Sequence, residues 1–333
     1  MINTSIFTNF VNTKVSTSAK QLTNKVDDLF VQFKLNVPNT NVFENPAFLK
    51  WAQSVDDFNL QNADKAPKSM LPTLMRQYET IPLSTMLEAA KKVESTRDVA
   101  TRLQNEQMKL WKNGGLTTDQ LFTAYKLDVL NGGVKNLLAN PGVKIWIKYA
   151  DDFYPGTTLY DKLRKTYSDD AVLSKLLIAG MEDSKTKTLA TELQTKLVKD
   201  WTEKLQPPAV VFKFLALDKG ADNLLASPHL RTWVQYAEGY KGNNDFTTKL
   251  TLFEALKTNY NDDVLVHMIN SAQYSVSKQE IMYAENVLDG LLGKWAQQPV
   301  KLRSVLEKLD LTKEKATVVK SVYIDKLRAV KPN

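Results

Sequence analysis

Paired carboxylates are the residues in this chain best suited to chemistry. They stand at Asp56-Asp57, Asp151-Asp152, Asp169-Asp170 and Asp262-Asp263. Two adjacent acids with separated pKa values can serve as general acid and general base. The pairs recur, however. Asp169-Asp170 and Asp262-Asp263 both stand just ahead of apolar helical stretches, where negative side chains satisfy free backbone N–H groups and complement the helix dipole. Asp56-Asp57 and Asp151-Asp152 follow a Trp at the same interval, and a third copy reads Glu238-Gly239. A catalytic pair is not expected to be duplicated and then half lost. Helix caps and solvated faces are the expectation.

Other catalytic types are as sparse. There is no cysteine, which excludes disulfides, thiolate zinc sites and Cys nucleophiles. His229 and His267 are too few for a His-rich metal site, and His229 follows Pro228 inside a recurring helix start, a scaffold position. The Gly-Gly pairs match no phosphate loop. Gly132-Gly133 gives way to Gly220-Ala221 in the next copy, as a helix stop would. The sequence holds no Walker loop, nucleophile elbow or His-containing triad. The expectation is a protein that is not an enzyme, with no cofactor and no metal.

The 333 residues carry 44 basic and 37 acidic side chains, a formal net charge of +7. Lys and Arg are interleaved with Asp and Glu rather than clustered with aromatics, so nucleic acid is not the expected partner. No apolar run is long enough to span a bilayer. Residues 1–20 are polar, without the apolar core of a secretory signal.

The elements carrying these residues repeat. Trp111, Trp201 and Trp295 form one set and Trp51, Trp146 and Trp233 another, each recurring at about ninety residues. A proline precedes each member of the second set at a fixed interval: Asn45-Pro46, Asn140-Pro141 and Ser227-Pro228. Asn or Ser followed by Pro starts a helix. Two helical turns after each of these Trp residues comes Phe58, Phe153 or Tyr240, on the same face. A tyrosine then ends the next helix: Tyr78, Tyr167 and Tyr260. A short apolar element also recurs, as Leu29 to Leu35, Leu121 to Leu127 and Val211 to Leu217, with a weaker copy ending at Leu309-Asp310.

Strand-like alternation is absent, so the pattern predicts an all-α protein, an elongated tandem array of helical bundles. In one copy the helices are expected at about Leu83–Val93, Thr96–Lys112, Thr118–Leu130, from Pro141 through Phe153, and Thr158–Tyr167. The expected divisions are a flexible segment 1–20, a first unit 21–82, full units 83–170 and 171–263, and a Leu-rich partial unit 264–330 that lacks the second Trp.

A Trp and a Tyr on successive helices, preceded by a Leu-rich segment, resemble the WY and LWY modules of oomycete RXLR effectors. The pairs would be Trp51 with Tyr78, Trp146 with Tyr167, and Trp233 with Tyr260. The Leu-rich parts would cover Leu83 to Leu130, Val172 to Leu217, and Val264 to Leu309. The signal peptide and the RXLR and acidic-Arg motifs of such effectors are missing, as expected of a mature effector domain. The resemblance implies a virulence protein, secreted by the pathogen and translocated into the plant cell cytoplasm or nucleus, that binds host proteins. Some such arrays recruit the protein phosphatase 2A core enzyme through its scaffold subunit, in the manner of a regulatory subunit. Others bind trafficking or autophagy proteins, but the C-terminal residues 328–333 lack an acidic aromatic-x-x-aliphatic motif.

Trp51, Tyr78, Trp111, Trp146, Tyr167, Trp201, Trp233, Tyr260 and Trp295 are thus the expected core anchors. Partner contacts are expected at loop positions free of the core constraint: Asn113, Tyr154, Gln206 and Asn243, in the loops 113–116, 154–158, 205–208 and 241–245. The chain is expected to be a monomer when unbound, to contact no membrane, and to use a host protein as partner.

Overall fold

The computed structural model describes residues 25–38, 40–130, 137–242, 250–298, 300–309 and 311–330. Asn243, Asp310, Gly132-Gly133 and the segment 1–20 lie outside the described residues. Every regular element among the described residues is helical, and the protein is all-α. The chain divides into two compact units, residues 1–166 and 167–333.

The first unit holds α1 (Lys25–Gln32), α2 (Ala47–Gln61), α3 (Leu71–Gln77), α4 (Thr80–Ala90), α5 (Arg97–Asn113), α6 (Thr118–Ala124), α7 (Pro141–Phe153) and α8 (Leu159–Thr166). The second holds α9 (Asp170–Glu182), α10 (Lys187–Glu203), α11 (Pro208–Phe214), α12 (Pro228–Gly239), α13 (Leu252–Asn259), α14 (Asp262–Ala272), α15 (Lys278–Gln297), α16 (Leu302–Lys308) and α17 (Lys313–Val330). Helix α4 packs on α5 and α7, as α9 packs on α10 and α14 on α15.

Local chemistry accounts for the starts. Asn45, Asn140 and Ser227 each accept a hydrogen bond from the backbone N–H two residues on, at 2.9, 2.8 and 3.2 Å. Proline follows each cap, where its missing N–H leaves nothing unsatisfied. Three boundaries differ from expectation. Helix α4 begins at Thr80 rather than Leu83, because Pro82 is tolerated in a first turn. It ends at Ala90, where the Thr96 hydroxyl donates to the Ala90 carbonyl at 2.7 Å; Thr186 does the same to Gly180 at 2.6 Å. Helix α6 stops at Ala124 rather than Leu130. Lys126 takes a left-handed φ of 56°, and so do Lys34 (56°) and Ala216 (55°) at the matching positions. A left-handed residue ends a helix, and none of these three is the glycine that would announce it.

Six tryptophans are buried, with relative exposures from 0% to 4%. Trp51, Trp146 and Trp233 donate their indole N–H groups to the Val26, Thr118 and Pro208 carbonyls at 3.0, 2.8 and 2.8 Å. Phe30, Phe122 and Phe212 each meet the indole edge to face. Tyr167 is buried, while Tyr78 and Tyr260 are only half-buried. Their hydroxyls donate to the Thr40 and Leu217 carbonyls at 2.9 and 2.5 Å, so a polar tip at the surface replaces the full burial expected of them.

The other Trp set explains the carboxylate pairs. Asp169 caps α9, accepting from Ala171 and Val172 N–H. Its structural counterpart is Asn261, the cap of α14, and not Asp262. Asp170 and Asp262 match each other instead, accepting from Trp201 and Trp295 Nε1 at 3.1 and 2.8 Å. Thr80 stands at this place in the first copy, and Trp111 Nε1 has no partner among the described residues. The other two pairs lie on solvated faces, with Asp56 joined to Arg102 and Asp152 to Lys148.

Burial opposes ionisation of Asp262, but hydrogen bonds from Lys294 and Trp295 outweigh it and hold the carboxyl below its ordinary value. A depressed folded pKa gives stability that is present above the unfolded value, about 3.9, and lost as pH falls through the lower folded value. Acidifying from about pH 5 to about pH 3 should therefore lower the melting temperature of the wild type more than that of Asp262→Asn. Equal drops in a thermal scan would refute this.

The terminal stretch holds more than the Leu-rich half-unit expected. Tyr149, Tyr236 and Tyr323 are equally spaced along the chain. Their hydroxyls donate to carbonyls of the turn that follows each first-set Trp: Leu116 at 2.8 Å, Gln206 at 2.5 Å and Val300 at 2.7 Å. Helix α17 is thus a third copy of α7 and α12, with exposed Lys320 where Trp146 and Trp233 stand.

Candidate partner-binding site

The same tyrosines bring the expected binding loops together in pairs, one pair in each unit. In the first unit, Tyr149 and Tyr154 both donate to the Leu116 carbonyl, at 2.8 and 2.5 Å. The Lys112 ammonium lies 3.8 Å from the Tyr154 ring centre and donates to the Phe153 carbonyl. Loops 113–116 and 154–158 therefore meet. Asn113 is exposed at the end of α5, whereas Tyr154 is half-buried and serves to close the turn.

In the second unit, Tyr236 and Tyr240 reach the Gln206 and Leu205 carbonyls at 2.5 and 3.2 Å. The loop 205–208 and the start of the loop 241–245 are thereby joined. Gln206 is half-buried, and its backbone N–H donates to the Trp201 carbonyl at 2.9 Å, as Leu116 does to Trp111. Burial raises the Tyr149 phenol above its ordinary value, with nearby Tyr154 adding to the effect. It also raises Tyr236, to about 12, with Tyr240 contributing. Both hydroxyls stay protonated as donors at neutral pH.

One residue departs from the repeat. The turn requires a left-handed position, which Gly115 supplies in the first unit with a φ of 83°. In the second unit it is Leu205, at a φ of 51° and 51% exposed. A bulky residue in this conformation costs about 1–2 kcal/mol, and a leucine that is half exposed recovers only part of it by burial. Leu205 borders a groove of about 310 Å3 lined by Val198, Thr202, Thr232, Tyr236 and Tyr240. Gln206 is the residue expected in this loop; the sequence sign of Leu205 is a Leu where the preceding copy has Gly.

His229 belongs to the scaffold. In the first unit a Cβ on Gly142 would land inside the Tyr125 ring, so only glycine fits. Leu215 replaces Tyr125 in the second unit, and His229 stands in place of Gly142. Burial lowers the His229 pKa, opposed by Glu182. No group of His, Cys, Asp and Glu among the described residues could hold a metal, and no described helix is long and apolar enough to cross a membrane.

No family model matches the chain. The RxLR effector PSR2 of Phytophthora sojae is 31% identical over 275 residues, covering 81% of this chain and 40% of that protein. An RxLR effector of Phytophthora infestans is 32% identical over 269 residues, covering 78% of this chain and 50% of the relative. The chain is a relative of the oomycete RxLR effectors. The secreted effector RXLR-C08 of Plasmopara halstedii is 31% identical over 252 residues, with 75% of this chain and 49% of that effector covered. The chain therefore spans about half the length of these RxLR relatives or less. The crystal structure of the effector PcRxLR12 matches with a TM-score of 0.64 and 25% identity, covering 96% of this chain and 77% of that one.

Proposed function

We propose that this chain is a protein-binding scaffold of an RxLR virulence effector that is delivered into plant cells. The favoured mechanism is recruitment of the host protein phosphatase 2A core enzyme through its scaffold subunit. The sequence resemblance to LWY arrays and the relatives named RxLR effectors support the effector reading. Leu205 carries the binding reading: the left-handed position that the turn requires falls on a half-exposed leucine beside a groove, where the first unit uses glycine. Strain kept at a surface position points to function.

The reading makes a prediction of opposite signs. Leu205→Gly relieves the left-handed strain, so stability should be unchanged or rise by up to about 1 kcal/mol. Partner capture should fall about tenfold or more, as when an apolar anchor leaves an interface. Urea unfolding measures the first. The second comes from affinity capture in plant extract, with phosphatase assay and mass spectrometry of the captured proteins. Undiminished capture by the variant would remove Leu205 from the site. Absence of phosphatase subunits from the wild-type capture would remove that partner.

A further inference from the structure

The second unit carries another apolar surface, unrelated to the Leu205 groove. Helices α14, α15 and α17 enclose a cavity of about 340 Å3 lined by Ile269, Ala272, Ile281, Leu288, Leu311 and Val318. Val318 is 62% exposed. Exposed Val318 and half-buried Ile281, Leu288 and Leu311 line this one groove, and apolar surface open to solvent in this way marks an interaction surface.

Comparison of the copies shows how the groove arose. Registered on the first-set tryptophans, Ile281 stands where Lys187 and Arg97 stand, and Leu288 where Gln194 and Gln104 stand. Registered on Tyr323, Tyr236 and Tyr149, Val318 stands where Arg231 and Lys144 stand. Three polar positions of the repeat have become apolar in this copy alone, and all three line one cavity. The shared anchors, the first-set Trp and the tyrosine of α7, α12 and α17, do not call for the change, since the other copies have them with polar residues here.

Charge selects the occupant. Residues 294–333 hold ten basic and four acidic side chains, which is most of the chain's formal net charge of +7. Lys315 lines the cavity opposite Glu285, and Lys313 and Lys320 are exposed on the same helix α17. An apolar slot bordered by a cationic helix suits a helix with an apolar face and acidic flanks.

We propose that this groove docks an acidic amphipathic helix of a partner protein. The proposal shares the protein-binding reading above but needs neither Leu205 nor the phosphatase. The probe is a designed helical peptide with a leucine face and glutamate flanks, titrated by fluorescence anisotropy into the full chain. Its twin carries lysine flanks. The acidic peptide should bind about tenfold or more tightly than its twin, and added salt should narrow the gap. The variant Ile281→Lys/Leu288→Gln/Val318→Arg restores residue types from the other copies and should lose about tenfold or more in affinity with unchanged circular dichroism. Val318→Arg alone, at an exposed position, provides the same test if the triple variant does not fold. Leu205→Gly should bind the peptide as the wild type does, so failure here and failure of the phosphatase reading are separate results. Equal affinity for the two peptides, no binding of either, or undiminished binding by the variants would overturn the proposal. So would a wild-type dimer in sedimentation that the triple variant dissolves, since the groove would then serve a second copy.

Discussion

Trp233→Ala is expected to cost about 3–5 kcal/mol, most of it as cavity and lost apolar transfer. The side chain is 1% exposed, meets Phe212 edge to face, and donates to the Pro208 carbonyl at 2.8 Å. Truncation leaves that carbonyl without its indole donor and opens the contact between α11 and α12. Trp233→Phe should cost less, because a ring still fills much of the space while the hydrogen bond is lost. Urea unfolding followed by circular dichroism measures the loss, and hydrogen exchange of α11 and α12 locates it. A cost below about 1 kcal/mol would mean that the ring does not anchor the bundle. Lys320 sharpens the point: at the matching place in α17 a charged side chain simply points to solvent. There Tyr323, with no exposed surface, holds the helix down together with buried Val319. A Trp at this position is therefore one solution to anchoring the helix, while the tyrosine one turn later recurs in all three late copies.

That tyrosine shows what the sequence made legible and what it did not. Tryptophan is rare, so its spacing stood out, and with it the helices, their Asn-Pro or Ser-Pro starts and the paired Leu-rich segments. Tyr149, Tyr236 and Tyr323 have an equally regular interval, but twelve tyrosines dilute the signal. Missing them made α17 look like a remnant. The early stop of α6 was invisible for another reason. Lys126 and Ala216 adopt the left-handed conformation under the pull of packing, and their residue types give no hint of it. The expectation of caps and solvated faces for the carboxylate pairs holds for the cap Asp169 and for the solvated Asp56 and Asp152. Asp170 and Asp262 instead accept from indoles more than thirty residues on in the chain, a contact that only the packing of the two helices brings about. At the candidate site, loop composition pointed to polar residues free of the core. The structure gives half of those to turn closure, through Tyr154 and Gln206, and turns attention to Leu205, an apolar residue of the same loop.

Differences between copies also locate where the fold is imperfectly satisfied. In the first unit Gln104 is buried in a closed network: its amide donates to Glu88 at 3.2 Å, and Lys91 donates to both Gln104 and Glu88 at 2.7 Å. The counterparts in the second unit are Ile178, Met181 and Gln194. Two members of the network have become apolar while the glutamine stayed. Gln194 is 5% exposed, and neither of its amide atoms finds a partner among the described residues. A buried amide without partners costs about 1–3 kcal/mol in desolvation. Gln194→Leu, the residue type that the third copy carries as Leu288, should therefore stabilise the protein by roughly 1–3 kcal/mol. Gln104→Leu should act in the opposite sense, because it strips Glu88 and Lys91 of their shared partner. Urea midpoints of the two single variants read the signs directly. Destabilisation by both would show that Gln194 has a partner, a bound water included, and that the second unit kept its glutamine for a reason of packing. Opposite signs would establish that one buried position changed its physical role when its neighbours changed, without the helices around it moving.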